Sequence, residues 1–190
     1  MEAAGRENPI NLPNLLSLVR VGSIPILVGL AYLPGPTWSA LAAGIFFVAG
    51  LTDLLDGWLA RRMKKITVLG QYLDPVADKL LVASLLVVLT ELGRAPAWMT
   101  IIIVCREIGV TGLRALAASQ RLTVPSDRWG KSKTALQMLG IFLLLLHQPL
   151  GGLDADRWGW WALCLAVVIT AWSGLAYVVR FRRLLLAKQA

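Results

Sequence analysis

The sequence predicts an all-α, polytopic membrane protein with six transmembrane helices and both termini in the cytoplasm. Hydrophobic residues make up 57% of the 190, charged residues only 16%, and the mean hydropathy is +0.66. Soluble domains carry about 25% charged residues, so this chain has too few to cover a globule in water. Despite the net charge of +8, such an apolar chain is not expected to coat nucleic acid. Residues 1–190 are expected to form a single membrane domain.

The first two helices are predicted at about residues 12–33 and 38–61. A helix needs about 20 mostly apolar residues to cross the hydrocarbon core. The stretch 21–52 carries no charge, but it is too long for one crossing. Pro34, Gly35 and Pro36 in its middle form a turn signal, so the stretch is divided into two helices.

The third and fourth helices are predicted at about 74–92 and 96–118, and both must include charged residues. The uncharged stretches 80–90 and 95–105 are each about half the length needed to cross. Extending them brings in Asp74, Asp78, Lys79, Arg106, Glu107 and Arg114. Charges at that depth are costly and normally face a bundle interior or a water-filled cavity. The second, third and fourth helices are therefore expected to line a polar chamber.

The fifth and sixth helices are predicted at about 134–153 and 158–180, where the sequence is long, apolar and almost free of charge. With six spans, thirteen of the 19 Lys and Arg residues fall on the side of both termini and two on the other side. By the positive-inside rule, that basic side is cytoplasmic. The first residues lack the pattern of a cleaved signal, and we expect a bacterial cell (inner) membrane protein.

Two pairs of aspartates are expected to meet at the cytoplasmic edge of the membrane. Asp53 and Asp56 are three residues apart near the end of the second helix, and Asp74 and Asp78 are four apart at the start of the third. Each pair therefore shares one helix face. Asp74 followed by Pro75 is typical of an N-cap with proline in the first helical position, so the third helix is expected to start at Asp74.

Four close carboxylates need a cation among them, because like charges raise one another's pKa. A carboxylate cluster without His or Cys is a ligand set for a hard divalent ion, Mg²⁺ or Mn²⁺. Such an ion usually completes its shell with substrate phosphates. The pattern therefore predicts a metal-dependent site for a phosphorylated substrate.

The spacing of these aspartates resembles the signature of the CDP-alcohol phosphotransferase family. The matching pattern is Asp53-x₂-Asp56-Gly57-x₂-Ala60-Arg61-x₈-Gly70-x₃-Asp74-x₃-Asp78. Eight fixed positions make a chance match on the order of 10⁻¹⁰ per starting site. Packing between helices is an alternative role for Gly57 and Ala60.

This resemblance implies an integral membrane enzyme of six helices, usually homodimeric, that transfers a substituted phosphate from a CDP-linked donor to an alcohol and releases CMP. It implies that Asp53, Asp56 and Asp74 are the main metal ligands. Asp78, at the same cluster, would be the base that takes the proton from the attacking hydroxyl. The CDP portion would be bound by Asp53, Asp56, Gly57, Ala60, Arg61, Gly70 and Asp74.

Three further stretches, 11–20, 106–114 and 130–134, resemble members that use CDP-diacylglycerol and sn-glycerol 3-phosphate. An acceptor that carries its own phosphate calls for a second basic site. Arg106, Arg114, Lys131 and Lys133 could supply it, since guanidinium groups suit phosphate oxygens. The alternatives are a structural ion pair between Arg106 and Glu107, and a purely topological role for the two lysines.

Two alternative functions remain open at this point. The first is the same chemistry with another acceptor, namely inositol phosphate, phosphatidylglycerol or an amino alcohol. The second is a divalent-cation transporter with aspartates along its path. A transporter predicts acidic residues at several depths, whereas the four aspartates are expected at one level.

Overall fold

The computed structural model describes residues 12–63, 68–120, 130–149 and 151–189, with side chains for 15–52, 75–120, 132–149 and 151–186. In these ranges the chain forms six α-helices: α1 (Leu12–Tyr32), α2 (Pro36–Met63), α3 (Val68–Glu91), α4 (Ala97–Ser119), α5 (Gly130–Leu146) and α6 (Ala155–Gln189). The all-α prediction with six helices is confirmed for this part of the chain. Among the described residues, two stretches are long and apolar enough to cross a membrane, Leu15–Tyr32 and Ala155–Leu186. The six-span topology and the cytoplasmic termini stay predictions.

The chain divides into two compact units, Met1–Val88 and Leu89–Ala190. In the first unit α1 packs against α2. The turn between them contains Gly35 at φ 113°, a conformation that side chains with a Cβ rarely adopt. The turn predicted from Pro34, Gly35 and Pro36 is therefore confirmed. The buried side chains of the two helices include Leu27, Ala31, Ala42, Ala43 and Phe46.

The predicted start of the third helix is wrong. Helix α3 begins at Val68, so Asp74 is not an N-cap and Pro75 lies inside the helix. Proline at this position forfeits the one hydrogen bond to the carbonyl four residues earlier, a loss that apolar, membrane-type helices tolerate. Gly70, which the predicted bounds leave between the second and third helices, is also part of α3. The connection between α2 and α3 is thereby reduced to 64–67, which lies outside the described residues.

In the second unit α6 packs against both α4 and α5. Two glycines mark the close approach of α5 to α6. A Cβ on Gly140 would lie 3.0 Å from the backbone nitrogen of Leu163, and one on Gly159 would lie 2.9 Å from Cγ of Leu144. Small residues at such positions let two helix backbones come close together.

The connection between α5 and α6 differs from the prediction at both ends. Helix α5 ends at Leu146 rather than 153, and His147 follows in the left-handed region at φ 49°, which histidine adopts more readily than most residues. The Arg94 guanidinium donates to the carbonyls of Leu144 and Leu145, at 3.3 and 3.4 Å. Burial lowers the pKa of Arg94 while the charge of Asp156 raises it. Because arginine stays protonated in proteins, Arg94 places a positive charge at the C-terminal end of α5, where it is favourable.

Helix α6 begins three residues before its predicted start because Asp154 acts as its N-cap. The Asp154 Oδ1 accepts hydrogen bonds from the backbone N–H of Asp156 at 3.1 Å and of Arg157 at 3.2 Å. Asp156 also pairs with His147, with 2.7 Å between Oδ1 and Nδ1. Helix α6 has 35 residues and is therefore about 52 Å long, well beyond the roughly 30 Å of a hydrocarbon core.

Candidate functional site

The aspartates predicted to bind metal lie on two helices of the first unit. Asp53 and Asp56 belong to α2, and Asp74 and Asp78 belong to α3. Asp56 is seven residues from the end of α2 and Asp74 is six from the start of α3, so each lies about 10 Å along its helix from the short connection. The backbone thus keeps each pair on one helix face and both pairs at a similar distance from that connection.

The side chains of three of these aspartates lie outside the described residues, namely Asp53, Asp56 and Asp74. The same holds for Gly57, Ala60, Arg61 and Gly70, whose backbone is helical. Asp78 is described and half-buried. Among the side chains that are described, no three His, Cys, Asp or Glu groups lie close enough to hold a metal ion. As a donor set, the four aspartates fit Mg²⁺ or Mn²⁺, because hard divalent ions prefer carboxylate oxygens.

A cluster of charged side chains joins α4, α5 and α6 in the second unit. We call it the Glu107 cluster, and it consists of Arg106, Glu107, Lys133 and Ser173. Arg106 Nη1 donates to Glu107 Oε1 at 2.7 Å, and Lys133 Nζ donates to the same oxygen. Arg106 Nη2 donates to Ser173 Oγ at 2.9 Å. One carboxylate and one hydroxyl therefore hold two cations that come from different helices.

Helix α6 makes room for Arg106 by placing glycine opposite it. A Cβ on Gly174 would lie 2.9 Å from Cγ of Arg106, closer than side-chain carbons approach without a shift. Arg106 and Lys133 are mostly buried, with 13% and 8% of their side chains exposed, whereas Glu107 is 23% exposed. Ion pairs in such surroundings are screened less by solvent than surface pairs are. The cluster is therefore held in one geometry by packing as well as by charge.

Arg114 extends the positive charge along α4. Its guanidinium carbon lies 5.7 Å from the centroid of the Tyr177 ring on α6, which is within the range of a cation–π contact. The charges of Arg106 and Arg114 both act on Lys133. The three predicted basic residues with described side chains are thus near one another, while the side chain of Lys131 lies outside the described residues. The alternative ion pair between Arg106 and Glu107 is also present.

The contribution of α6 to the Glu107 cluster was not predicted from the sequence. Ser173 and Tyr177 are four residues apart and lie on one face, with Gly174 beside them, and together these residues contact both arginines. The available signal was a small polar residue and a glycine, one helical turn before a tyrosine, in an otherwise apolar helix. That pattern is equally typical of ordinary helix packing. It becomes informative only when the facing helix carries buried arginine.

Comparisons with known proteins cover nearly the whole chain. A family model described as CDP-alcohol phosphatidyltransferase matches residues 10–172. A Bacillus subtilis protein named CDP-diacylglycerol--glycerol-3-phosphate 3-phosphatidyltransferase is 38% identical over 180 residues, covering 88% of this chain and 93% of that protein. A Pseudomonas fluorescens protein of the same name is 42% identical over 179 residues, covering 89% of each. An Oryza sativa protein named cardiolipin synthase (CMP-forming) is 38% identical over 195 residues, covering 93% of this chain and 59% of that protein.

Proposed function

The chain belongs to the CDP-alcohol phosphatidyltransferase family, and on that basis we propose that it transfers a phosphatidyl group from CDP-diacylglycerol to sn-glycerol 3-phosphate. The products are phosphatidylglycerophosphate and CMP. The observation that carries this proposal is the likeness of almost the whole chain to two bacterial proteins named for that reaction. The family signature in α2 and α3, whose eight fixed positions include the four aspartates, agrees with this proposal.

The donor side of the reaction is assigned to α2 and α3. Asp53, Asp56 and Asp74 bind a divalent ion, Mg²⁺ or Mn²⁺, with Asp78 at its edge. The CDP portion lies along Gly57, Ala60, Arg61 and Gly70, together with the three metal-binding aspartates. The spacing of the aspartates on two helices and their similar distance from the 64–67 connection support this assignment. The ion, when bound, neutralises charge on the diphosphate and orients it, which is most of what phosphoryl transfer requires.

Asp78 is assigned the proton transfer. A hydroxyl oxygen of glycerol 3-phosphate attacks the phosphorus that carries the diacylglycerol, and the Asp78 carboxylate accepts the hydroxyl proton. The new oxygen–phosphorus bond forms as the bond to the CMP oxygen breaks, and CMP leaves with the bridging oxygen. Asp78 is one helical turn from Asp74, so the two carboxylates can act at the same reacting group without competing for one position.

The acceptor side is assigned to the second unit. The phosphate of glycerol 3-phosphate binds Arg106, Arg114, Lys131 and Lys133. The geometry that supports this is the Glu107 cluster, in which Arg106 and Lys133 are held mostly buried and Arg114 lies nearby. Guanidinium groups bind phosphate oxygens through two parallel hydrogen bonds. An acceptor such as serine has no phosphate for these cations to bind.

The protein is further proposed to be a homodimer in the bacterial cell membrane, with its active site facing the cytoplasm. The positive-inside distribution of Lys and Arg supports the orientation. The two apolar stretches of α1 and α6 support insertion into a membrane. Water-soluble glycerol 3-phosphate would then enter from the side that carries the basic loops.

A panel of acceptors tests the function directly. Purified full-length protein is given CDP-diacylglycerol and Mg²⁺, and CMP release is followed with glycerol 3-phosphate, inositol phosphate, phosphatidylglycerol or serine. We expect release with glycerol 3-phosphate and its loss when EDTA removes the ion. Release with serine and not with glycerol 3-phosphate would overturn the assignment of the acceptor.

Phosphatidylglycerol is the second candidate acceptor. The likeness to a protein named cardiolipin synthase (CMP-forming) favours it. Its phosphodiester carries one negative charge, whereas the phosphate monoester of glycerol 3-phosphate carries about −1.5 to −2 at neutral pH. The concentration of cations around Glu107 favours the more highly charged acceptor.

A further inference from the structure

Glu107 is an anion in the middle of a site that we assign to another anion. Its Oε1 accepts hydrogen bonds from Arg106 and from Lys133. Placing a carboxylate beside phosphate-binding cations weakens their attraction for phosphate, so its presence needs a physical reason. Two features of the Glu107 cluster supply one.

The first feature is the position of the cations. Arg106 and Lys133 come from α4 and α5, and Glu107 is the group that both of them contact. Ser173 holds the other end of the Arg106 guanidinium from α6. Long cationic side chains have many rotamers, and fixing them before a ligand arrives lowers the entropic cost of binding. Glu107 and Ser173 thus hold the cations in place in the absence of a ligand.

The second feature is the balance of charge. The Glu107 cluster holds two cations and one carboxylate, a net charge of +1, and the nearby Arg114 raises the net charge of the described side chains to +2. A phosphate monoester carries about −1.5 to −2 at neutral pH. Together with Arg114, the net charge of the Glu107 cluster therefore matches that of a dianionic phosphate.

Hydrogen-bond donors also remain for a ligand. A guanidinium group has five N–H donors and an ammonium has three. Arg106 uses one donor on Glu107 and one on Ser173, and Lys133 uses one on Glu107. Both cations therefore keep donors that are not used by Glu107 or Ser173, among them the buried Arg106 Nε, which has no hydrogen-bond partner.

We propose that Glu107 is a positioning residue for the acceptor phosphate, which fixes Arg106 and Lys133 and sets the charge of the site to suit a dianion. The proposal rests on the assignment of the acceptor site in the proposed function. It adds a role for the one group in the cluster that cannot itself bind phosphate. Ser173 assists by holding Arg106 from α6.

Two substitutions separate charge from position. Glu107→Gln keeps a hydrogen-bond acceptor of the same shape and removes the negative charge, whereas Glu107→Ala removes both. With Gln, we expect the KM for glycerol 3-phosphate to fall about threefold to tenfold, because attraction to the dianion increases. With Ala, we expect this KM to rise, because the cations are no longer held. The KM for CDP-diacylglycerol should stay unchanged in both variants. If Gln and Ala raise the KM of both substrates alike, Glu107 is only structural and the proposal is wrong.

A binding measurement that needs no turnover distinguishes this proposal from the proposed function. The melting temperature of full-length protein in detergent is followed as inorganic phosphate is added. Phosphate should stabilise Glu107→Gln more than the wild type, since it replaces the missing anion between the cations. An equal or smaller effect would contradict the role of Glu107. If phosphate behaves as expected but glycerol 3-phosphate supports no CMP release, the proposed function fails and the role of Glu107 stands.

The wild type and a second variant cover the case in which Glu107→Gln does not fold. Wild-type enzyme should use glycerol 3-phosphate with a kcat/KM at least about tenfold above that of its methyl diester, which carries one negative charge. Ser173→Ala should raise the KM for glycerol 3-phosphate about threefold to tenfold, and Ser173→Thr should restore it, because the hydroxyl returns. Equal use of the two acceptors, or no effect of Ser173→Ala, would overturn the proposal.

Discussion

Replacing Arg106 by alanine should weaken the binding of glycerol 3-phosphate, the acceptor, far more than the binding of CDP-diacylglycerol, the donor. Only 13% of the Arg106 side chain is exposed. Its guanidinium donates hydrogen bonds to Glu107 at 2.7 Å and to Ser173 at 2.9 Å. Hydrogen bonds to charged groups contribute about 1.5–3 kcal/mol each. Losing one such bond to a phosphate corresponds to roughly a tenfold to hundredfold rise in KM, since about 1.4 kcal/mol is a factor of ten.

The fold should survive this substitution, because Glu107 keeps Lys133 as a partner and no carboxylate is left unpaired. Initial rates of CMP release are measured while glycerol 3-phosphate or CDP-diacylglycerol is varied in turn. The KM of Arg106→Lys for glycerol 3-phosphate should lie between those of the wild type and Arg106→Ala, because lysine keeps the charge but cannot form two parallel hydrogen bonds to a phosphate.

Arg94→Ala is the matched control for a partly buried arginine. Arg94 binds the carbonyls of Leu144 and Leu145 at the end of α5, whereas Lys133 is near its start, about 16 Å away along the helix. This variant should lose some stability without a selective effect on the acceptor. Arg106 does not bind the acceptor if Arg106→Ala raises the KM of donor and acceptor by the same factor, or if Arg94→Ala raises the acceptor KM just as much.

Three other substitutions test the remaining assignments. Asp78→Asn should lower kcat by about 10²-fold to 10⁴-fold, the usual contribution of a general base, while labelled CDP-diacylglycerol still binds; a kcat near that of the wild type would exclude Asp78 as the base. Gly159→Ala should lower the melting temperature, since its Cβ would lie 2.9 Å from Leu144 Cγ and overpacking costs about 1–3 kcal/mol. Gly109→Ala serves as the control, because nothing lies within 4 Å of its new Cβ. Asp154→Ala should cost about 1 kcal/mol by removing the N-cap of α6, measured as a lower denaturation midpoint, and no change would show that the cap contributes nothing.

The number of helices and their approximate positions could be predicted from the sequence because apolar length and turn signals are local properties. Gly35 between two prolines is an example, since both residue types constrain the backbone wherever they occur. The start of α3 was mispredicted because Asp74 followed by Pro75 is a local signal for a helix start. The same pair can also lie inside a helix that begins earlier, where the proline costs one backbone hydrogen bond.

The composition of the candidate site could be predicted only in part. Arg106, Arg114 and Lys133 were identified because an acceptor that carries its own phosphate calls for a basic site. Arg106 and Arg114 also stood out because charges at membrane depth are costly and need a reason. Glu107 and Lys133 are 26 residues apart, and no spacing rule connects them. Ser173 and Tyr177 depend on which face α6 turns toward α4, and an almost uniformly apolar helix carries little information about its rotation.

The division of the chain into two units has a consequence for how such an enzyme can diversify. The residues assigned to the nucleotide and the metal ion all precede Val88, and those assigned to the acceptor all follow Leu89. Natural selection could therefore alter which alcohol is consumed through changes confined to the later half, leaving the shared phosphorus chemistry of the earlier half intact.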